Sequence, residues 1–237
     1  MVTDFSEFQN ILFSATSQHF GERGYRETFR DVSLEMTRLI NADKAFLFLR
    51  TGENRGGNTF YASVGFYVSF SIIDDFILKY RDRLHPNIPR HTIGVETKSL
   101  NSNYQIEVRS REETDSIVPQ IINQYENILV PFLEYFMNII VLNEFVNNPF
   151  DKFHAGIPIS TARFHWYRKM IIAKLAGNPE YEKIAQYVLD QHRAVSRNNP
   201  ESVDFKNAMM VVEGLVDDLA QVSPVKNPIL LDLGLVK

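Results

Sequence analysis

Cysteine is absent from this chain of 237 residues. That absence excludes disulfides, thiolate nucleophiles and thiolate-held metals, and it makes a reducing compartment, the cytoplasm, the expected setting. Long apolar runs are missing too. The most apolar stretch, Ile128 to Leu142, is interrupted by Pro131, Glu134 and Asn138 and falls short of the ~20 residues that a bilayer-spanning helix needs. A buried helix, and no membrane partner, is expected there. Met1 to Glu7 show no basic region leading into an apolar one, so no secretory signal is read. A strong excess of one charge is also lacking: the net charge is −4, with −5 on the first 149 residues and +1 on the rest. Neither part is built to track a phosphate backbone, which argues against a nucleic-acid partner.

What the chain does carry is bulky apolar material. The 44% hydrophobic content includes 18 Phe and 10 Tyr, enough for a large aromatic core and far from the composition of a disordered chain. Phe5, Phe8, Leu12, Ala15 and Phe20 form a helical stripe over 4–20. Residues 25–39 read as one or two strands, and 44–50 pairs with a strand starting at Thr59 across the glycine-rich loop 51–58. That loop leads into a strand, so it is a hairpin connection and not a phosphate cradle. In the second strand Phe60, Ala62, Val64, Phe66, Val68 and Phe70 share one face, and Tyr61, Ser63, Gly65, Tyr67 and Ser69 the other.

Residues 71–83 read as a helix with Asp74 and Asp75 turned from its apolar side. Residues 92–98 and 104–109 read as a second hairpin, and 114–147 as a helical segment broken at Pro131. Beyond the linker Asn147–Asp151, three helical stripes are separated by Gly177-Asn178-Pro179 and Asn198-Asn199-Pro200. The expected fold is α+β: a mainly antiparallel sheet of about 4–6 strands packed by helices, then a C-terminal bundle of about three helices. The boundary is placed at 149, giving an α+β domain over 1–149 and a helical extension over 150–237. The apolar tail from Pro224 to Lys237 is expected to dock on the body or on a second copy of the chain, the latter making a homo-oligomer.

Signatures of chemistry are sparse. Six histidines, at 19, 85, 91, 154, 165 and 192, offer no i, i+4 pair, so no metal site and no cofactor is expected. His192 lies on an apolar stripe and reads as a core histidine. No Gly-x-Ser-x-Gly elbow is present. Adjacent carboxylates such as Asp74–Asp75, Glu112–Glu113 and Asp217–Asp218 point in different directions and read as solvated faces, not acid/base dyads. The richest polar and aromatic cluster runs from Ser160 to Lys169 and contains the only tryptophan, Trp166. There His165, Arg168 and Lys169 share a helical face that could meet an acidic partner or an anionic ligand, against the plainer reading of a solvated face. On the sheet, Tyr61, Tyr67, Glu107 and Arg109 are residue types suited to an uncovered protein interface.

A helix, then Gly-x-x-Gly-Tyr at 21–25, then Phe29-Arg30, then Val64-Gly65-Phe66 within the strand from Phe60 to Val68, resembles a bacterial family defined only as a domain of unknown function. The resemblance covers residues 5–145 and implies an immunity-protein-like α+β domain; the helical residues beyond it depart from the pattern. Taken together, the sequence points to a noncatalytic protein-binding module with a protein partner. The alternative is an enzyme or small-ligand-binding protein whose pocket lies between the sheet and the C-terminal helices, with His165 and Arg168 as its polar groups.

Overall fold

Period-two alternation in the N-terminal part of the chain becomes an antiparallel sheet, and the helical stripes further on become packed helices. The structure is a computed structural model that describes residues 5–30, 33–53, 59–84, 92–101, 104–108, 113, 116–151 and 162–231, without the side chains of 29, 30 and 162–164. Arg109, His85, His91, His154, Glu112, most of the glycine-rich loop and tail residues 232–237 lie outside the described residues. Two compact units are present, Met1–Val68 with Ile93–Glu134, and Ser69–Thr92 with Tyr135–Lys237. Residue 149 falls inside the second.

The first unit holds the sheet: β1 (Arg26–Arg30), β2 (Ser33–Ile40), β3 (Asp43–Glu53), β4 (Phe60–Ser69), β5 (Ile93–Glu96) and β6 (Ile106–Val108). The order is β1-β2-β3-β4-β5, with β6 also on β4. Ile40 pairs with Asp43 across a two-residue turn. Asn41 takes φ 57° there, a left-handed value that asparagine tolerates and tight hairpins require. The alternation in β4 is realised as read, with Phe60, Ala62, Val64, Phe66 and Val68 all buried. Helix α1 (Phe5–Gly21) lays Phe8, Leu12, Thr16 and Phe20 on that inner face at four-residue spacing. The Phe8 ring stacks on Phe60 at 5.2 Å. Tyr125 meets Phe20 and Phe66 edge-on at 4.9 and 5.2 Å, and its hydroxyl bonds that of Tyr25 at 2.7 Å. Each such buried ring contributes on the order of 2 kcal/mol, and the paired hydroxyls remove the cost of burying two polar atoms.

The second hairpin is not formed. β5 and β6 both pair with β4, at Gly65–Val68 and Phe60–Ala62 respectively, and not with each other. They make one interrupted edge, because Thr97–Leu100 winds into a helical turn, α3, whose Thr97 hydroxyl donates to the Val64 carbonyl. Pro131 is also not the break. Helix α4 (Ile117–Gln124) runs through a π turn at Tyr125–Leu129 into α5 (Val130–Phe136). The wide turn lies where the proline ring would otherwise meet the carbonyl four residues back. The helix stops instead before Asn138, whose Oδ1 caps α6 (Ile139–Asn147) by accepting from Ile140 N at 2.9 Å.

In the second unit the tail uses that stop. Ile139 N donates to Pro228 O, and Leu230 N to Met137 O, so Asn138 and Ile229 form a β-bridge and Leu231 is buried. Helices α7 (Ala162–Ala176), α8 (Tyr181–Asn198) and α9 (Val203–Ala220) follow. Gly177 ends α7 at φ 69°, with Asn178 N bonded to Ala173 O, a left-handed glycine cap. Helix α2 (Ser71–Leu78) also belongs here, and its orientation corrects the sequence reading. Ile72 is exposed and Asp74 is buried. The Asp74 carboxylate accepts from Ser69 Oγ (2.8 Å) and Thr92 Oγ1 (2.7 Å) on one oxygen, and from Arg168 Nε (3.2 Å) and Nη2 (2.9 Å) on the other. Removing one partner of a buried pair strands the other charge. Asp74→Ala is therefore expected to lower stability by about 3–5 kcal/mol in urea unfolding; a loss below about 1 kcal/mol would contradict this account.

Candidate functional site

Three helices and a 3₁₀ turn of the second unit line a half-open cavity of about 220 Å³. Helix α7 supplies Trp166 and Tyr167; α8 supplies Gln191, His192 and Val195; α9 supplies Asp204, Phe205 and Ala208. Arg83 and Leu84 come from the turn that follows α2. The contributions of α8 and α9 each fall at i, i+1 and i+4, one face of a helix. Ser202 starts α9 by accepting from Phe205 N, which sets the turn bearing Asp204 and Phe205.

Leu84, Trp166, Tyr167, Val195, Phe205 and Ala208 give the cavity an apolar lining, and Arg83, Gln191, His192 and Asp204 add polar groups, a mixture suited to a small-molecule site. The volume exceeds the ~150 Å³ apolar cavity that accepts benzene. His192 stacks on Tyr167 at 5.5 Å, and its Nδ1 lies 2.8 Å from Val188 O. That bond assigns the proton to Nδ1 and leaves Nε2 without a bond among the described residues. Burial lowers the His192 pKa below its usual 6.5, partly offset by the Val188 bond, so the ring is neutral at pH 7 with Nε2 as an acceptor. His192 therefore lines a cavity and is not simply a core histidine.

The cluster read from Ser160 to Lys169 is placed differently from either expectation. His165, Arg168 and Lys169 are all buried, so their shared face points inward. Arg168 is spent on Asp74. His165 packs edge-on against Trp166 at 5.4 Å. Lys169 donates from Nζ to Phe150 O and stands 5.1 Å over the Trp166 ring. Of the cluster's described side chains, Trp166 and Tyr167 reach the cavity, Trp166 half-buried beside Tyr187 at 5.5 Å.

The sheet residues lie in the first unit. Tyr61 and Glu107 sit opposite each other on β4 and β6. Tyr67 is half-buried, donates to Glu96 Oε1 at 2.8 Å and meets Phe48 edge-on at 5.0 Å. Glu96 also pairs with Arg50 and Lys98, each at 3.2 Å. The Tyr67 ring lies over Gly94, where a Cβ would stand 1.9 Å from it. Burial, then Glu96, push the Tyr67 pKa upward. This face is therefore packed in part by its own side chains. Arg109, the remaining predicted member, is outside the described residues.

Among the described residues no group of three potential metal ligands gathers, and no helix is long and apolar enough to cross a membrane. Arg83, Gln191 and Phe205 are not legible in the sequence as site residues. For Gln191 and Phe205 the signal is the repeated i, i+1, i+4 spacing on two helices, which a plain packing face shares; Arg83 carries none.

Lys169 gives the pH dependence a sign. Burial lowers its pKa from 10.5 to about 8, with Asp151 opposing. Between pH 8 and 10.5 the unfolded chain holds a proton that the native state has released, so this group makes stability rise with pH. Tyr25, Tyr67, Tyr80, Tyr125 and Tyr181 are all shifted upward by burial and act the other way above pH 10. Urea midpoints at pH 7.5, 9 and 10 are expected to climb less in Lys169→Met than in the parent; equal slopes would remove the buried ammonium from the account. Compared with known proteins, the chain matches no family model, no curated protein and no solved structure.

Proposed function

We propose that the protein is a noncatalytic binding protein that holds a small planar ligand in the cavity of its second unit. The observation that carries this reading is the cavity itself: about 220 Å³, walled by Trp166, Tyr167, Phe205 and His192, with Nε2 of His192 making no bond among the described residues. Planar aromatic walls recognise flat ligands through stacking and edge contacts, each worth about 0.5–1.5 kcal/mol beyond area burial. Two buried ionisable groups of the same unit, Asp74 and Lys169, are already committed to other bonds, which supports binding over turnover and leaves Nε2 of His192 to accept from the ligand. The Asp74 carboxylate accepts four hydrogen bonds, and the Lys169 ammonium donates to Phe150 O. A protein partner on the outer sheet face is the weaker reading. There the Tyr67 hydroxyl is occupied by Glu96, and Phe46 and Ser63 are buried.

Trp166 is the only tryptophan, so its fluorescence reports on the cavity directly. A panel of one- and two-ring aromatic compounds, followed by Trp166 emission and ligand-observed NMR, is expected to give saturable binding. At a ligand concentration of one hundred times Kd the protein gains about 2.7 kcal/mol of stability. Ala208→Phe, which fills the cavity, is expected to remove the response while preserving the circular dichroism spectrum. A panel without a saturable response, or one whose response survives Ala208→Phe, would overturn the proposal.

A further inference from the structure

The charge around the cavity is uneven, and the unevenness identifies a ligand class. Arg83 follows α2 on a 3₁₀ turn whose other acidic and basic groups are already paired. Asp218 of α9 takes Lys79 Nζ on both oxygens, at 2.6 and 2.7 Å, and the Tyr80 hydroxyl at 2.8 Å. Arg81 lies 3.7 Å from the Asp82 carboxylate. Among the described residues the Arg83 guanidinium has no ion pair, yet it lines the cavity. Asp204, the one carboxylate among the described residues of the same wall, is already engaged in an interaction of its own. The first turn of α9, which brings Asp204 and Phe205 to the cavity, also presents the positive end of the helix dipole there.

From this juxtaposition we infer that the cavity selects planar aromatic anions, a two-ring or one-ring aromatic carboxylate, with the ring between Trp166, Tyr167 and Phe205 and the carboxylate on Arg83. A guanidinium presents parallel N–H donors that match a carboxylate two to two, which gives both direction and strength. The aromatic ring supplies the apolar burial and the carboxylate fixes its orientation. An aromatic ammonium would bring a second cation to Arg83 and would have to compete for Asp204. The inference rests on the proposed binding role of the cavity and specifies its ligand.

Three probes of one shape separate the possibilities: 2-naphthoate, 2-naphthalenemethanol and 2-naphthylmethylamine, titrated against the full chain and followed by Trp166 emission and by isothermal calorimetry. The naphthoate is expected to bind at least tenfold more tightly than the alcohol, and to weaken as salt is raised from 50 to 500 mM. Arg83→Gln is expected to bring the naphthoate to the affinity of the alcohol while leaving the alcohol unchanged. An amine or alcohol bound as tightly as the naphthoate overturns the anion assignment while the cavity reading stands. Equal weakening of all three probes by Arg83→Gln overturns the anion assignment in the same way. No binding of any probe overturns the cavity reading and this inference with it. Arg83 is exposed, so its replacement tests recognition without disturbing the core.

Discussion

A carboxylate buried in a protein interior needs donors on both oxygens to offset the water it loses, and in the second unit Asp74 has them. Ser69 comes from the end of β4, Thr92 from just before β5, and Arg168 from the middle of α7. Thr92 is engaged further, since its Oγ1 also accepts from Phe70 N at 2.9 Å. Meeting all four donors fixes α2 in rotation and in register against α7. An α2 turned by one residue would bury Ile72, expose Asp74 and break its pair with Arg168. Apolar replacements of such pairs are often neutral or stabilising, so the contribution of this one is to specify an arrangement more than to add net stability.

That arrangement reaches the cavity through the chain immediately after α2. Once α2 is set, Lys79 and Tyr80 meet Asp218 on α9, and Tyr80 lies over Gly214, where a Cβ would come within 2.5 Å of its hydroxyl. Burial, then Asp218, pushes the Tyr80 pKa up to about 12, so the hydroxyl remains a donor at every physiological pH. Three residues on, Arg83 and Leu84 stand at the cavity. The buried pair, the surface bridge to α9 and the cavity wall are thus successive consequences of one helix orientation.

Local periodicity makes much of this legible from the sequence, and non-local pairing hides the rest. Strand β4 and helix α1 announce their inner faces because a period of two or of about four residues needs only neighbours to be read. The three C-terminal helices are equally plain, punctuated by Gly177 and by Asn198-Asn199-Pro200. By contrast, β5 and β6 alternate identically whether they pair with each other or with β4, so their spacing holds no record of the partner. Asp74 and the stripe His165, Arg168 and Lys169 read as solvent-facing because charge is usually found there. Their burial depends on a contact between residues 94 positions apart, and nothing within either segment announces it.

Protein interiors pack as densely as organic crystals, and an empty apolar void costs roughly 24 cal/mol per Å³, which for about 220 Å³ sets an upper bound near 5 kcal/mol. The cost realised is smaller, because Arg83, Gln191 and Asp204 are exposed and water can wet the mouth. Filling the void would take little: Ala208 is a small side chain between bulky ones, and a larger residue there leaves the capping of α9 at Ser202 untouched. The surrounding chain is otherwise closely specified, with Asp74 saturated, α6, α7 and α9 each provided with a cap, and the tail bridged to Asn138. Local departures from good packing in an otherwise consistent structure concentrate where binding occurs. The space between Trp166, His192 and Phe205 fits that pattern for the proposed site, and the guanidinium of Arg83, without an ion pair among the described residues, is the group on which its proposed charge preference rests.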